Sequence, residues 1–209
     1  MADVVAMENT RTYEFIRGLV WFVFHTFLPV KYHNEENLTK DRPAVIISNH
    51  VHALDPAIQA FPVKKEQCFF VGKKELGKNA LAKKFLYRMH CILVDRHNSD
   101  LAAMRACVRV VKEGHVMTIF PEGTRHHEGQ MEQIESGASL IVLRAKAPVV
   151  PMYIDRPLKL FRRVHVFIGK PIQYEDLLAE GVNKETCEKL NERFRQVFRK
   201  MIAEAEKKQ

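Results

Sequence analysis

The sequence predicts an α/β fold: a central, largely parallel mixed sheet flanked by helices, preceded by an amphipathic helix suited to a membrane interface. Two observations carry the fold class. Six short runs rich in Val, Ile and Phe recur along the 209 residues, and helical patterns separate most of them. Strands alternating with helices close a sheet most readily when the strands run parallel. The chain is long enough for one sizeable core.

In chain order, the most apolar stretch comes first, residues 18–30 (GLVWFVFHTFLPV), interrupted by His25 and ended by Pro29. It falls short of the roughly 20 residues that span a bilayer. Phe15, Ile16, Leu19, Trp21, Phe22, Val23, Phe27 and Leu28 cover much of one helix, with Arg11, Arg17, His25 and Lys31 placed for a headgroup boundary. Two readings fit, a helix lying in the membrane interface and a helix closing one side of the core. The expected division is an interfacial helix in residues 1–32 and the α/β domain in residues 33–209.

The strands are expected at Ala44 to Ile47, Cys68 to Val71, Ile92 to Val94, Val116 to Phe120, Val149 to Ile154 and Val164 to Ile168. The clearest helix runs from Ser99 to Glu113, with Ser99 and Asp100 as caps, Leu101, Met104, Val108 and Val111 on one face, and Gly114 at its end. From Asn183 onward, Cys187, Leu190, Phe194, Val197 and Met201 fall at helical spacing, the pattern of a closing amphipathic helix.

The net charge of +8 draws the protein toward phosphates, anionic lipid or an acidic carrier. Lys64, Lys65, Lys73, Lys74, Lys78, Lys83, Lys84 and Arg88 concentrate that charge. Aromatic residues do not interleave with this patch, so nucleic acid is not an expected partner. Cys68, Cys91, Cys107 and Cys187 show no CxxC spacing and read as reduced core thiols of a cytosolic protein. Residues 1–10 lack the basic start and small-residue cleavage site of a signal peptide.

Chemistry in an open α/β sheet gathers beyond the carboxyl ends of strands. Two junctions stand out. At the first, VIISNHVHALDP, a strand runs into Asn49, His50, His52 and Asp55. Asp55 before Pro56 reads as a helix N-cap. An imidazole there can also take a hydroxyl proton near neutral pH, and a carboxylate on its second nitrogen fixes the tautomer. His50 and Asp55 can form such a dyad only if His50 lies in the loop before the helix, because a separation of five does not share a helix face. His50, His52 and Asp55 form an incomplete metal-ligand pattern, and no metal is expected. At the second junction, MTIFPEGTRHHEG, Gly123 permits an unusual backbone angle, Arg125 can hold a phosphate through paired hydrogen bonds, and Glu122 can orient Arg125 or a substrate hydroxyl.

Asn49 to Asp55 resembles an NHxxxxD signature and Phe120 to Arg125 an FPEGTR signature, and the 72-residue offset from His50 to Glu122 fits as well. Together they resemble the glycerolipid acyltransferase family that includes the 1-acyl-glycerol-3-phosphate acyltransferases. Ile92 to Arg96 and Val149 to Met152 resemble two further blocks, and the resemblance spans about residues 44–170. It departs at His90, where the family often has glycine, at Glu135, where many members have lysine nearby, and at His52, where many have serine.

The resemblance implies acyl transfer from a coenzyme A or acyl-carrier-protein thioester to the sn-2 hydroxyl of 1-acyl-sn-glycerol-3-phosphate, giving phosphatidic acid for phospholipid synthesis. It implies His50 as general base oriented by Asp55, with Arg96, Glu122, Gly123, Thr124 and Arg125 at the acceptor. No cofactor is implied beyond the thioester co-substrate. The expected location is the cytoplasmic face of the cell membrane, bound peripherally or monotopically. Glycerol-3-phosphate or another lysophospholipid is the alternative acceptor, and a basic membrane-binding module without chemistry is the non-enzymatic alternative.

Overall fold

The run Ala44–Ser48 is wholly buried, as a strand covered on both faces of a parallel sheet must be. It forms the middle of a seven-stranded sheet in a computed structural model that describes residues 11–38, 44–63, 67–95, 100–125 and 131–207. The elements, in order, are α1 (Arg11–Phe27), β1 (Val30–His33), β2 (Ala44–Ser48), α2 (Asp55–Ala60), β3 (Cys68–Lys73), α3 (Ala80–Arg88), β4 (Cys91–Val94), α4 (Leu101–Lys112), β5 (Val116–Ile119), α5 (Ser136–Ala145), β6 (Val149–Ile154), β7 (Val164–Ile168), α6 (Glu175–Ala179) and α7 (Lys184–Glu206).

The strand order is β1-β7-β6-β2-β5-β3-β4, and every neighbouring pair is parallel except β6 with β7. The six expected strands are present to within a few residues. The seventh, β1, was not expected. Its Val30 pairs with Val164 and its His33 with Phe167, so the strand following α1 enters the main sheet and crosses residue 32. Pro29 stops the helix, and the β-branched and aromatic Val30 and Tyr32 then continue as strand.

Two apolar layers cover the sheet. One face packs residues of α4, α5 and α7, including Val110, Val142, Leu190, Phe194 and Phe198, against Val45, Ile47 and Met117. The other packs Phe24 of α1 and Ile58 of α2 against Ile46, Val150 and Val166. Capping follows the sequence. The Asp100 carboxylate accepts the Ala103 N–H at 2.9 Å to start α4, and Gly114 leaves it at φ 100°. Asn183 and Thr186 exchange side-chain and main-chain hydrogen bonds in a capping box that starts α7. Ser99 lies outside the described residues.

Helix α1 lies on the second face with two sides of opposite character. Tyr13 and Phe24 are buried, the Tyr13 hydroxyl accepts the Cys68 N–H at 3.2 Å, and Arg17 donates to the Val63 carbonyl at 2.7 Å. The opposite side exposes Phe15, Leu19, Trp21 and Phe22. Among the described residues no helix is long and apolar enough to cross a membrane.

His90 shows why a place that often holds glycine tolerates a histidine here. It sits at φ 56°, a left-handed backbone that glycine adopts freely and histidine more readily than most residues. Its buried ring stacks between Tyr13 and Phe69, at centroid distances of 5.0 and 4.8 Å, and neither ring nitrogen has a hydrogen-bond partner among the described residues. Burial, aided by His115 and opposed by Glu14, pushes its pKa below the ordinary 6.5. The unfolded chain therefore takes up a proton near pH 6.5 that the folded protein refuses, so stability falls as pH drops through that value and levels off below the folded pKa. Urea midpoints at pH 7.5 and 5.5 should differ more in the wild type than in His90→Asn, which keeps a residue suited to that backbone and removes the titration.

Candidate active site

β2, β5 and β6 run parallel and end at one edge of the sheet, so the loops after them converge. Asn49, first after β2, is fully buried. Its carboxamide oxygen accepts the Ile154 N–H at 2.8 Å and its amide donates to the Ile154 carbonyl at 2.9 Å. This two-bond clamp ties the end of β2 to the end of β6 and fixes the backbone from which His50 projects. The sequence named Asn49 only as part of a motif; no local pattern announces a partner 105 residues away.

His50 lies in the loop ahead of α2. Its Nδ1 is 2.9 Å from Asp55 Oδ2, and the same oxygen accepts the main-chain N–H groups of Val51 and His52, each at 2.7 Å. Asp55 is completely buried, whereas the His50 side chain keeps 17% of its surface. The carboxylate makes Nδ1 the proton-bearing nitrogen, so the lone pair of the neutral ring belongs to Nε2.

The expectation that Asp55 caps α2 is corrected. The residue at the cap position is Leu54, without a side-chain hydrogen bond, and Asp55 is the first helical residue with Pro56 behind it. The carboxylate turns back over the loop because three donors, one of them His50, converge on a single oxygen there. His52 accepts the Leu54 N–H through Nδ1 at 3.2 Å. Among the described residues no three His, Cys, Asp or Glu side chains are grouped as a metal site.

The second motif packs directly on the first. Phe120, just past β5, stacks its ring on His50 with centroids 4.0 Å apart and planes 21° off parallel. The Gly123 N–H bonds the Phe120 carbonyl at 3.0 Å, and Gly123 takes φ 68°, the left-handed conformation for which a glycine was expected. This turn buries Glu122, whose Oε2 accepts the His50 main-chain N–H at 3.3 Å. Glu122 thus braces the histidine loop, a role that neither motif signals alone. Thr124 and Arg125 are exposed at the rim of the same turn. Arg96 lies outside the described residues.

The four cysteines are buried and unpaired with one another, and burial pushes the thiols of Cys91 and Cys107 up to about 12. Thiols so raised are poor nucleophiles near neutral pH. The arrangement provides an oriented imidazole, a buried carboxylate behind it, and an adjoining glycine turn that carries an exposed cation.

A family model described as Acyltransferase matches residues 29–155, more than half of the chain and a span that contains both motifs. The chain belongs to the acyltransferase family. This acyltransferase is 32% identical over 181 residues to a 1-acyl-sn-glycerol-3-phosphate acyltransferase of Bacillus subtilis, covering 82% of the chain and 89% of that protein. A protein of the same name from Streptococcus pneumoniae is 27% identical over 200 residues, covering 92% of the chain and 74% of that protein. The crystal structure of the 1-acyl-sn-glycerophosphate acyltransferase from Thermotoga maritima superposes on this acyltransferase with a TM-score of 0.64 at 20% identity, covering 90% and 78% of the two chains, and shares its fold. Family membership sets aside the reading of the chain as a basic membrane-binding module without chemistry.

Proposed function

We infer that this acyltransferase moves a fatty acyl group from a coenzyme A or acyl-carrier-protein thioester to the sn-2 hydroxyl of 1-acyl-sn-glycerol-3-phosphate, forming phosphatidic acid for phospholipid synthesis. The observation that carries the reading is the His50 imidazole, held by Asp55 through Nδ1 and braced from its main-chain side by Glu122. The names of the Bacillus and Streptococcus relatives supply the acceptor.

In this reading Nε2 of His50 takes the acceptor hydroxyl proton as that oxygen attacks the thioester carbonyl carbon. The C–O bond forms, the tetrahedral intermediate collapses, and the C–S bond breaks. The departing thiolate recovers the proton from the imidazolium, which Asp55 stabilises meanwhile. No acyl-enzyme is needed. Proton transfer of this kind supplies about 10²–10⁴-fold, and the positioning of two bound substrates supplies much of the remainder. Arg125 pairs with the acceptor phosphate, Arg96 contributes a second cation, and Gly123 and Thr124 shape the turn around the glycerol. Glu122 holds the histidine loop in register with that turn.

Exposed Lys73 ends β3 at the catalytic edge, and the exposed cations Lys74, Lys78, Lys83 and Lys84 follow it, with Arg88 at the far end of α3. They suit the phosphates of coenzyme A or an acidic carrier. The exposed face of α1 suits the cytoplasmic surface of the membrane, where the acceptor's acyl chain resides. Incubating the protein with an acyl thioester and either lysophosphatidate, glycerol-3-phosphate or another lysophospholipid tests the acceptor. Phosphatidate should form from lysophosphatidate at the highest kcat/KM. Turnover of glycerol-3-phosphate with none of lysophosphatidate would overturn the assignment.

A further inference from the structure

β6 ends at Ile154, paired with Val166, and the chain reverses between Asp155 and Arg163 before β7 begins at Val164. That reversal lies at the edge of the sheet that carries His50, because β2 and β6 are parallel and end together. Its tip is a tight turn in which the Arg162 N–H bonds the Lys159 carbonyl at 3.1 Å, leaving Leu160 and Phe161 at the two central positions. Both side chains face solvent, 68% and 70% exposed. Phe161 has φ 55°, at a turn position where glycine or asparagine is usual. A bulky aromatic held in a disfavoured backbone without burying its ring calls for a purpose beyond folding.

Two contacts fix where the turn points. The Phe161 N–H donates to the Phe27 carbonyl at 2.8 Å, and the two rings meet edge to face with centroids 6.1 Å apart. Phe27 is the last residue of α1, so the turn extends the apolar outer side of that helix toward the catalytic edge. Lys159, Arg162 and Arg163 flank the two apolar residues with no acidic residue among them, and all three are exposed. Apolar side chains at a tip with cations around its base match the depth profile of an anionic bilayer surface.

We propose that the Lys159–Arg163 turn is a second membrane-insertion element, with Leu160 and Phe161 entering the acyl region and Lys159, Arg162 and Arg163 meeting anionic headgroups. It rests on the reading of α1 as membrane-facing and adds an anchor beside the active site. Held there, the turn brings the catalytic edge down to the lipid surface, so a lysophospholipid hydroxyl reaches His50 without its acyl chain leaving the bilayer.

The test is co-sedimentation of the purified full chain with phosphatidylcholine vesicles, with and without phosphatidylglycerol. The wild type is compared with Leu160→Ser/Phe161→Asn, in which asparagine accepts the turn backbone, and with Leu19→Ser/Phe22→Ser on α1. The turn variant should lose at least about tenfold in partitioning to the anionic vesicles with its urea midpoint unchanged. Unchanged partitioning of the turn variant beside a loss in the α1 variant overturns the second anchor and leaves the α1 reading standing. A wild type that sediments with neither vesicle overturns both. Replacing Lys159, Arg162 and Arg163 by Gln should weaken the preference for phosphatidylglycerol, and an unchanged preference would contradict the headgroup contacts.

Discussion

His50→Ala should abolish measurable acyl transfer, a loss of about 10²–10⁴-fold or more, while the protein stays folded. Once Nδ1 is committed to Asp55, the second nitrogen of the imidazole is left as an acceptor. Its removal takes away the proposed base but none of the surrounding scaffold. Asn49 still clamps β2 to β6, Glu122 still accepts the main-chain N–H of residue 50, and Asp55 still accepts those of Val51 and His52. Urea unfolding should therefore show a modest change, mostly from the lost stacking on Phe120. Initial rates of product formation beside an unfolding curve on the same sample check both halves.

Asp55→Asn should cost nearly as much, about 10²–10⁴-fold, by a different route. Asparagine is isosteric, and its oxygen can take the place of Oδ2 in front of the two main-chain donors and His50. It brings no negative charge, so the imidazolium formed in the transition state loses its counterion in a fully buried setting. That charge matters only once the proton has moved. The loss should thus fall on kcat with KM little changed, which separates an electrostatic role from a role in binding. An equal loss in KM with kcat preserved would place Asp55 in substrate binding.

How much of this was legible in the sequence depends on how local each signal is. The six expected strands were visible because buried parallel strands are continuous apolar runs, and α4 and α7 because Asp100, Gly114 and Asn183 punctuate them. β1 is not legible since its four residues directly continue the most apolar stretch of the chain past Pro29, and its partner β7 lies more than 130 residues away. Asp55 was read as a cap from its place before Pro56. Propensity describes what a carboxylate does when nothing else competes for it, and here three donors from the preceding loop do. The bracing of His50 by Glu122 was illegible for the same reason as the Asn49 clamp. Each joins two loops that only the folded sheet brings together, although the paired motifs had marked both loops as belonging to one site.

The membrane side of the account is also divided in this way. The apolar side of α1 could be listed from its residues, but which part faces the core required the fold, with Tyr13 and Phe24 inward and Phe15, Leu19 and Phe22 outward. The turn at Leu160 and Phe161 carries no periodicity, and only its contact with Phe27 connects it to α1.

The central claim is that the acceptor oxygen itself attacks the thioester under the control of His50. Rapid-quench mass spectrometry of the full chain mixed with acyl thioester, before and after adding lysophosphatidate, tests it most directly. The account predicts protein of unmodified mass throughout, with phosphatidate and free thiol appearing together only once the acceptor is present. An acyl-protein adduct that forms without acceptor and then passes its acyl group to lysophosphatidate at the rate of turnover would contradict it.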